Sequence, residues 1–474
     1  METESILRFL VLIVGFYMAW NIGANDVSNA MGTSVGSGAL TLRRAVFLAA
    51  ILEFCGAFFV GANVTETMQR GLIDPSMFLT EPMILILGMI GALLGTSFWL
   101  QAASYFGWPV STTHAIVGAI LGFGLVTGGY EAIQWGEIVS IAISWLISPI
   151  FSALISYTIF SILQRKILYA MKPIEATCQL LPFFIFTIFG TFTLSLVFNG
   201  LNNLHLSLSF PQALGVAFAV GLFAAALSYL ILKRVSPPPG YKASESPHTP
   251  QTVISLDKAI KHLQRVRVAS ADETHLKITQ IIHDVKELSQ KIREETSFSD
   301  RTSEYSFVEK MFASLQVLSA CYVAFAHGAN DVSNAIGPLA AVLDVLKNGT
   351  ISETSVIPPW LLTMGGIGIV IGLATWGWRV IETIGKKITE LTPTRGFCAE
   401  FGAATTILIA SKLGLPISTT HCLVGAVLGI GLARGLSALN LNILREIVLS
   451  WIITIPASAA ISILCFYTLR AIFL

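Results

Sequence analysis

A chain of 474 residues that is 54% hydrophobic and only 12% charged is not a soluble globular protein, in which about a quarter of residues carry charge. Its mean hydropathy of +0.73 points to a polytopic membrane protein. The net charge of +1 argues against nucleic acid or another polyanionic partner. Cys55, Cys178, Cys321, Cys398, Cys422 and Cys465 stand singly without a CxxC pair, so they read as small core residues rather than disulfide or zinc ligands.

Met1–Glu4 is acidic and no small-residue cleavage site follows the first apolar run, so that run is expected to be a retained span. With about 20 apolar residues needed to cross ~30 Å of hydrocarbon, the chain predicts an all-α polytopic fold of about twelve transmembrane helices. They fall at 5–23, 43–63, 82–104, 112–128, 136–163, 178–199, 211–232, 311–328, 360–381, 395–412, 418–433 and 446–470. The first span runs into the octapeptide GANDVSNA, Gly23–Ala30, and the fourth begins within STTH, Ser111–His114. Both strings recur, at Gly328–Ala335 and Ser418–His421. Trp108–Pro109 is matched by Leu415–Pro416, GAILGFGL by GAVLGIGL, and Pro149 by Pro456. This is a duplicated half-protein; its period is too long for a solenoid.

The expected organisation is a membrane repeat with connecting spans over 1–233, a linker over 234–310 and a second membrane repeat over 311–474. The linker opens on the proline cluster Ser236–Gly240 and contains a stripe of Ile278, Ile281, Val285, Leu288 and Ile292 at helical spacing. Lys277, Lys286, Glu287, Lys291 and Arg293 cover its other faces, which reads as a small solvated helical hairpin or self-association element.

Basic residues in short loops stay cytoplasmic. Arg43, Arg44, Arg165, Lys166, Lys172, the linker, Lys386, Lys387, Arg395, Arg434 and Arg445 share one side if both termini lie outside and the linker is cytoplasmic. The chain then crosses an odd number of times between the two GANDVSNA copies. The halves are therefore expected to have inverted topology, with broken or re-entrant helices and a site at their interface.

Asn25, Asp26 and Asn29, with their counterparts Asn330, Asp331 and Asn334, lie at membrane depth beside Gly23 and Gly328, which permit unwound backbone. A carboxylate there costs at least ~2.5–3.5 kcal/mol unless it lines a cavity or meets a cation. With no lysine or arginine nearby in sequence, the simplest partner is a bound cation such as sodium, held by hard oxygen ligands. N-capping of a restarted helix is the bland alternative. Ser111, Thr112, Thr113 and Ser418, Thr419, Thr420 place hydroxyls and free N–H groups at helix N-termini, which favour an oxyanion. Glu53 and Glu400 sit mid-span among apolar residues and read as cation ligands or as holders of a broken helix. His114 and His421 read first as structural donors. His327 is not duplicated, Ile22 standing in its place, which weakens it further. Arg379, three residues before Glu382, suggests a helical-turn ion pair.

GANDVSNA twice, P-x-STTH twice and RVIETIGKKIT at Arg379–Thr389 resemble the inorganic phosphate transporter (PiT) family of cation-coupled permeases. The resemblance covers nearly the whole chain. It departs at Ser28 and Ser333, where alanine is common. It implies a multi-pass cell (inner) membrane protein, often a homodimer, that carries phosphate with sodium or protons and needs no other cofactor. It assigns phosphate binding to Asn25, Asp26, Ser111, Thr112, Thr113, Asn330, Asp331, Ser418, Thr419 and Thr420. The carboxylates repel phosphate, so the residue reading gives cations to Asp26, Asn29, Glu53, Asp331, Asn334 and Glu400. A permease for another oxyanion such as sulfate is one alternative. An intramembrane hydrolase using Asp26 and Asp331, or Ser111 with His114, is a second. No G-x-x-x-x-G-K-[ST] string is present to support an ATP-driven pump.

Overall fold

The computed structural model describes residues 2–70, 72–108, 110–198, 208–234, 250–295, 298–349, 357–378, 381, 391–435 and 441–474. Their regular structure is helical apart from one isolated bridge, Ile73 to Ile133. The chain divides into two compact units. One comprises Met1–Phe160, Thr187–Leu222 and Phe312–Leu474; the other comprises Ser161–Phe186 and Phe223–Met311.

Seven helices among the described residues are long and apolar enough to cross a membrane. An eighth span is formed if α2 (Leu42–Val60) and α3 (Ala62–Arg70), bent by 65° at Gly61, count as one. The expectation of about twelve spans differs because three helices of 16–17 residues, α5 (Thr112–Gly128), α12 (Pro359–Thr375) and α14 (Thr419–Arg434), are apolar but too short, and the helix over the expected span 395–412, 20 residues long, is not apolar enough.

The first large unit is built on two long helices, α1 (Glu2–Gly36) and the part of α11 (Phe298–Asn348) from Phe312 onward. Each runs unbroken through its GANDVSNA copy. The expected unwinding at Gly23 and Gly328 does not occur. These glycines instead admit a neighbouring backbone: a Cβ on Gly23 would overlap the carbonyl of Ile369 in α12, and one on Gly328 the carbonyl of Glu53 in α2. The pattern is reciprocal, since Gly372 faces the Trp20 carbonyl and Gly56 the Phe325 carbonyl. Small residues are required where helices pack this closely.

α1 and α11 pack antiparallel along their length. Arg8 donates to the Leu346 carbonyl (3.0 Å), Gly15 packs on Leu339, and Ser37 donates to Gln316 (2.7 Å). The equivalent helices of the two repeats therefore point in opposite directions.

Two helical hairpins complete the unit: α4 (Pro82–Phe106) with α5, and α13 (Pro393–Lys412) with α14. Their turns have matching sequences, GWPVS and GLPIS. Gly107 and Gly414, both at φ 68°, end the incoming helices in the left-handed conformation. Ser111 and Ser418 cap the outgoing helices by accepting from the backbone N–H of His114 and His421 (both 3.2 Å). Each hairpin packs on the final long helix of the opposite repeat. Gly95, Gly118 and Gly122 meet α15 (Leu441–Phe473), while Gly402, Gly425 and Gly429 meet α6 (Trp135–Leu163).

In the second unit, α9 (Pro250–Val268) and α10 (Asp272–Glu295) form a hairpin around Ile260, Ile278 and Ile282, with Leu263 and Val285 against them. The expected stripe is partly kept: Ile278, Val285 and Ile292 lie on the buried face, whereas Ile281 and Leu288 are exposed and Ile282 is buried in place of Ile281. A single partner helix covers only a narrow face, so residues beside the centreline stay in solvent.

Candidate functional site

The two GANDVSNA segments cross where the two hairpin turns meet. Thr113 donates to the Ile417 carbonyl (3.0 Å) and Thr420 to the Val110 carbonyl (3.5 Å), so each turn is fastened to the other. Asn29 of α1 donates to Thr420 of the opposite repeat (2.8 Å), and Asn334 of α11 donates to Thr112 (3.3 Å) and Thr113 (3.2 Å). Thr419 donates to Asp331 (2.9 Å). Within its own repeat, Asn25 lies 3.0 Å from the Ser104 hydroxyl, and Asn330 donates to Ser411 (3.1 Å) and the Leu415 carbonyl (3.2 Å). Asn25, Asp26, Asn29, Ser111, Thr112, Thr113, Asn330, Asp331, Asn334, Ser418, Thr419 and Thr420 thus gather in one buried region, none more than 3% exposed.

The hydrogen-bond balance of this region is one-sided. Asp26 Oδ2, Asn29 Oδ1, Asn330 Oδ1, Asp331 Oδ1 and Asn334 Oδ1 are all buried acceptors without a donor. Buried polar atoms normally find partners, and leaving one alone costs about 1–3 kcal/mol. Five oxygens with no donor make a chemical environment for cations. Asp26, Asp331 and His327 each bring one ligand atom to within 4.8 Å of the others. Beside them, α5 and α14 begin with three consecutive hydroxyl residues each, pointing the positive ends of two helices at the same place.

His327 carries more weight than its sequence suggested. Its Nε2 lies 3.0 Å from Asp331 Oδ2 and its Nδ1 3.2 Å from Glu53 Oε1, all three side chains being buried. Glu53 therefore reaches the duplicated site through the imidazole rather than directly. A neutral imidazole can donate from only one nitrogen. Both ring nitrogens approach a carboxylate without hydrogen-bonding geometry, so the three groups are neighbours rather than a bonded relay. The available sequence signal was the i, i+4 spacing of His327 and Asp331, which places both on one helical face.

Glu400 belongs to a separate cluster. Thr33 and Ser34 of α1 donate to its Oε1 (both 2.6 Å), as does Gln316 of α11 (3.1 Å), while Ser319 donates to Oε2 (2.5 Å). Four donors on one carboxylate tie α13 to both long helices. The expectation that Glu400 holds a broken helix fails because those helices are continuous.

His114 and His421 face each other with ring centroids 4.5 Å apart, packed on Trp145 (3.9 Å) and Trp451 (3.5 Å) respectively. Ser111 Oγ engages the His114 backbone, and both ring nitrogens of His114 are without partners. No serine–histidine pair is formed there. The proposed Arg379–Glu382 pair lies outside the described residues.

Residues 22–462 match the model of the phosphate transporter family. The chain is 46% identical to the chloroplastic inorganic phosphate transporter 2-1 of Arabidopsis thaliana over 462 residues, covering 97% of this chain and 72% of the relative. A Chlamydia pneumoniae relative is 45% identical over 474 residues, covering 98% and 99% of the two chains. A solved structure titled the sodium-dependent phosphate transporter superposes with a TM-score of 0.78 at 35% identity, covering 98% of this chain and all of that one.

Proposed function

The chain belongs to the phosphate transporter family and is a transporter rather than an enzyme, and from that premise we propose that it imports inorganic phosphate together with sodium by alternating access. The observation that carries this reading is the set of five donorless oxygens beside two hydroxyl-bearing helix N-termini. Asp26, Asp331, Asn29 and Asn334 take sodium. Thr112, Thr113, Thr419 and Thr420, with their neighbouring Ser111 and Ser418, take the anion, assisted by Asn25 and Asn330. The Ser111, Thr112 and Ser418 hydroxyls donate to phosphate oxygens, and Thr113, Thr419 and Thr420 do so on releasing the Ile417 carbonyl, Asp331 and the Val110 carbonyl, while a proton on the anion donates to one of the hydroxyl oxygens. Sodium between the carboxylates and the anion converts repulsion into attraction, which makes the two cargoes bind mutually.

Electrostatics favours this coupling. Moving a dianion into a negative interior costs about 4.6 kcal/mol at 100 mV, at ~2.3 per charge. Two sodium ions cancel that term, and a third makes uptake electrogenic. Glu400, a buried carboxylate in a separate cluster, takes a further cation if some of its four donors turn away. Antiparallel α1 and α11 supply the near-symmetry that lets one packing convert to its mirror state. The multi-pass protein lies in the cell membrane with both termini outside and the 234–310 linker cytoplasmic.

The test is uptake of radiolabelled phosphate into proteoliposomes under separately imposed sodium and pH gradients. Uphill accumulation driven by sodium and competed by phosphate more strongly than by sulfate is expected. Uptake indifferent to sodium, or driven by a pH gradient alone, overturns the proposed coupling.

A further inference from the structure

A cavity of about 1110 Å³ lies apart from the phosphate site, where four membrane-crossing helices begin or end. Glu4 at the start of α1, Glu81 before α4, Lys347 at the end of α11, and Tyr467 and Arg470 near the end of α15 line it. The apolar spans of these helices start at Thr3 and Pro82 and finish at Asn348 and Phe473. That boundary is the level of the lipid headgroups, where tyrosine is enriched. Ile84 and Ile86 supply apolar lining beside these charges.

The charges on this wall are opposite in pairs, yet no ion pair within 4.0 Å joins them. Glu81 occupies the N-cap position of α4 without capping it. Local preference accounts for each charge singly, since cations suit helix ends and carboxylates suit helix starts. It does not account for two cations and two carboxylates facing one cavity while remaining apart. A ligand that carries both signs satisfies all four.

We propose that this cavity binds phosphatidylethanolamine, with the phosphate at Lys347 and Arg470, the ammonium at Glu4 and Glu81, and an acyl chain along Ile84 and Ile86. The complementarity selects this lipid over its neighbours. Phosphatidylglycerol brings no cation for the carboxylates. Phosphatidylcholine brings a cation without an N–H to donate.

The test is native mass spectrometry of the purified full-length chain with palmitoyl-oleoyl lipids bearing ethanolamine, choline or glycerol headgroups. The ethanolamine lipid is expected to bind roughly tenfold more tightly than the choline lipid, the size of one charged hydrogen bond. Glu4→Gln with Glu81→Gln reduces it to the choline level, whereas Lys347→Ala with Arg470→Ala weakens both lipids alike. Equal binding of ethanolamine and choline lipids, preference for the glycerol lipid, or displacement by excess inorganic phosphate overturns the proposal. The four charged side chains are exposed, and the lipid series on the unaltered chain decides the matter if a variant fails to fold. Because the readout is lipid retention, failure of sodium-coupled transport leaves this test intact.

Discussion

The two copies of GANDVSNA are identical in sequence and meet at one place, but their surroundings differ. Around Asp331, His327 and Glu53 form a buried polar chain. At the positions equivalent by the reciprocal glycine contacts, the first repeat has Ile22 for His327, and the second has Ile369 for Glu53. Aligning Ser104 with Ser411 likewise sets Leu93 against Glu400. Duplication therefore supplied a symmetric framework, and single substitutions made its two halves chemically unequal. An alternating-access transporter needs both properties: near-symmetry makes two states close in energy, and asymmetry decides where each cargo sits.

The strongest way to break the comparison is to remove its charged centre. Asp26→Asn is expected to lower sodium-driven uptake by at least a hundredfold, since removing one partner from a buried charge arrangement costs about 3–5 kcal/mol. Asp331→Asn should do the same and also release His327. Sodium-dependence curves for the two variants in proteoliposomes should differ; superimposable curves would show that the histidine has no effect.

Grafting the asymmetry onto the other half is the next test. Leu93→Glu buries a carboxylate with no equivalent donors, because Val11, Val14 and Leu339 stand where Gln316, Ser319 and Ser34 serve Glu400. A loss of about 3 kcal/mol in thermal or denaturant unfolding is expected. Glu400→Gln keeps the shape but replaces one acceptor oxygen by an amide nitrogen whose N–H groups face donors, costing about 1–3 kcal/mol and raising the sodium concentration for half-maximal uptake. Unchanged sodium dependence in that variant would confine Glu400 to a structural role.

Symmetric contacts should instead respond symmetrically. Gly23→Ala and Gly328→Ala each force a methyl onto a neighbouring carbonyl and should each cost about 1–3 kcal/mol. A large difference in their melting temperatures would show that the two crossings are not equivalent in packing. The smallest effect belongs to Ser28→Ala and Ser333→Ala. Their hydroxyls donate only to the Asn25 carbonyl (3.0 Å) and the Asn330 carbonyl (2.6 Å), within their own helices, so a change below about 1 kcal/mol is expected.

Much of the fold was legible where chemistry is local. The turn strings GWPVS and GLPIS carry their left-handed glycine and serine cap in sequence, and the caps form at Ser111 and Ser418. Gly23 and Gly328 misled because glycine serves both unwinding and close packing. Only the carbonyls of Ile369 and Glu53 show that packing is its use here. His327 was undervalued because a residue without a duplicate looks incidental beside a repeated motif. Its meaning lies in Glu53, on a different helix. In α10 the expected stripe holds at Ile278, Val285 and Ile292 but not at Ile281 and Leu288, because the direction of its partner helix is absent from a single helical pattern.

The sequence by itself determined membrane character, duplication and the oxygen-rich chemistry of the repeated strings, because hydropathy and motif identity are properties of short stretches. Tertiary structure alone decided that Asn29 meets Thr420 of the other repeat, that Glu53 lies beside His327 and that Glu400 stands apart. Those relations depend on which faces of antiparallel helices touch, and the contacts that set them join residues hundreds of positions apart.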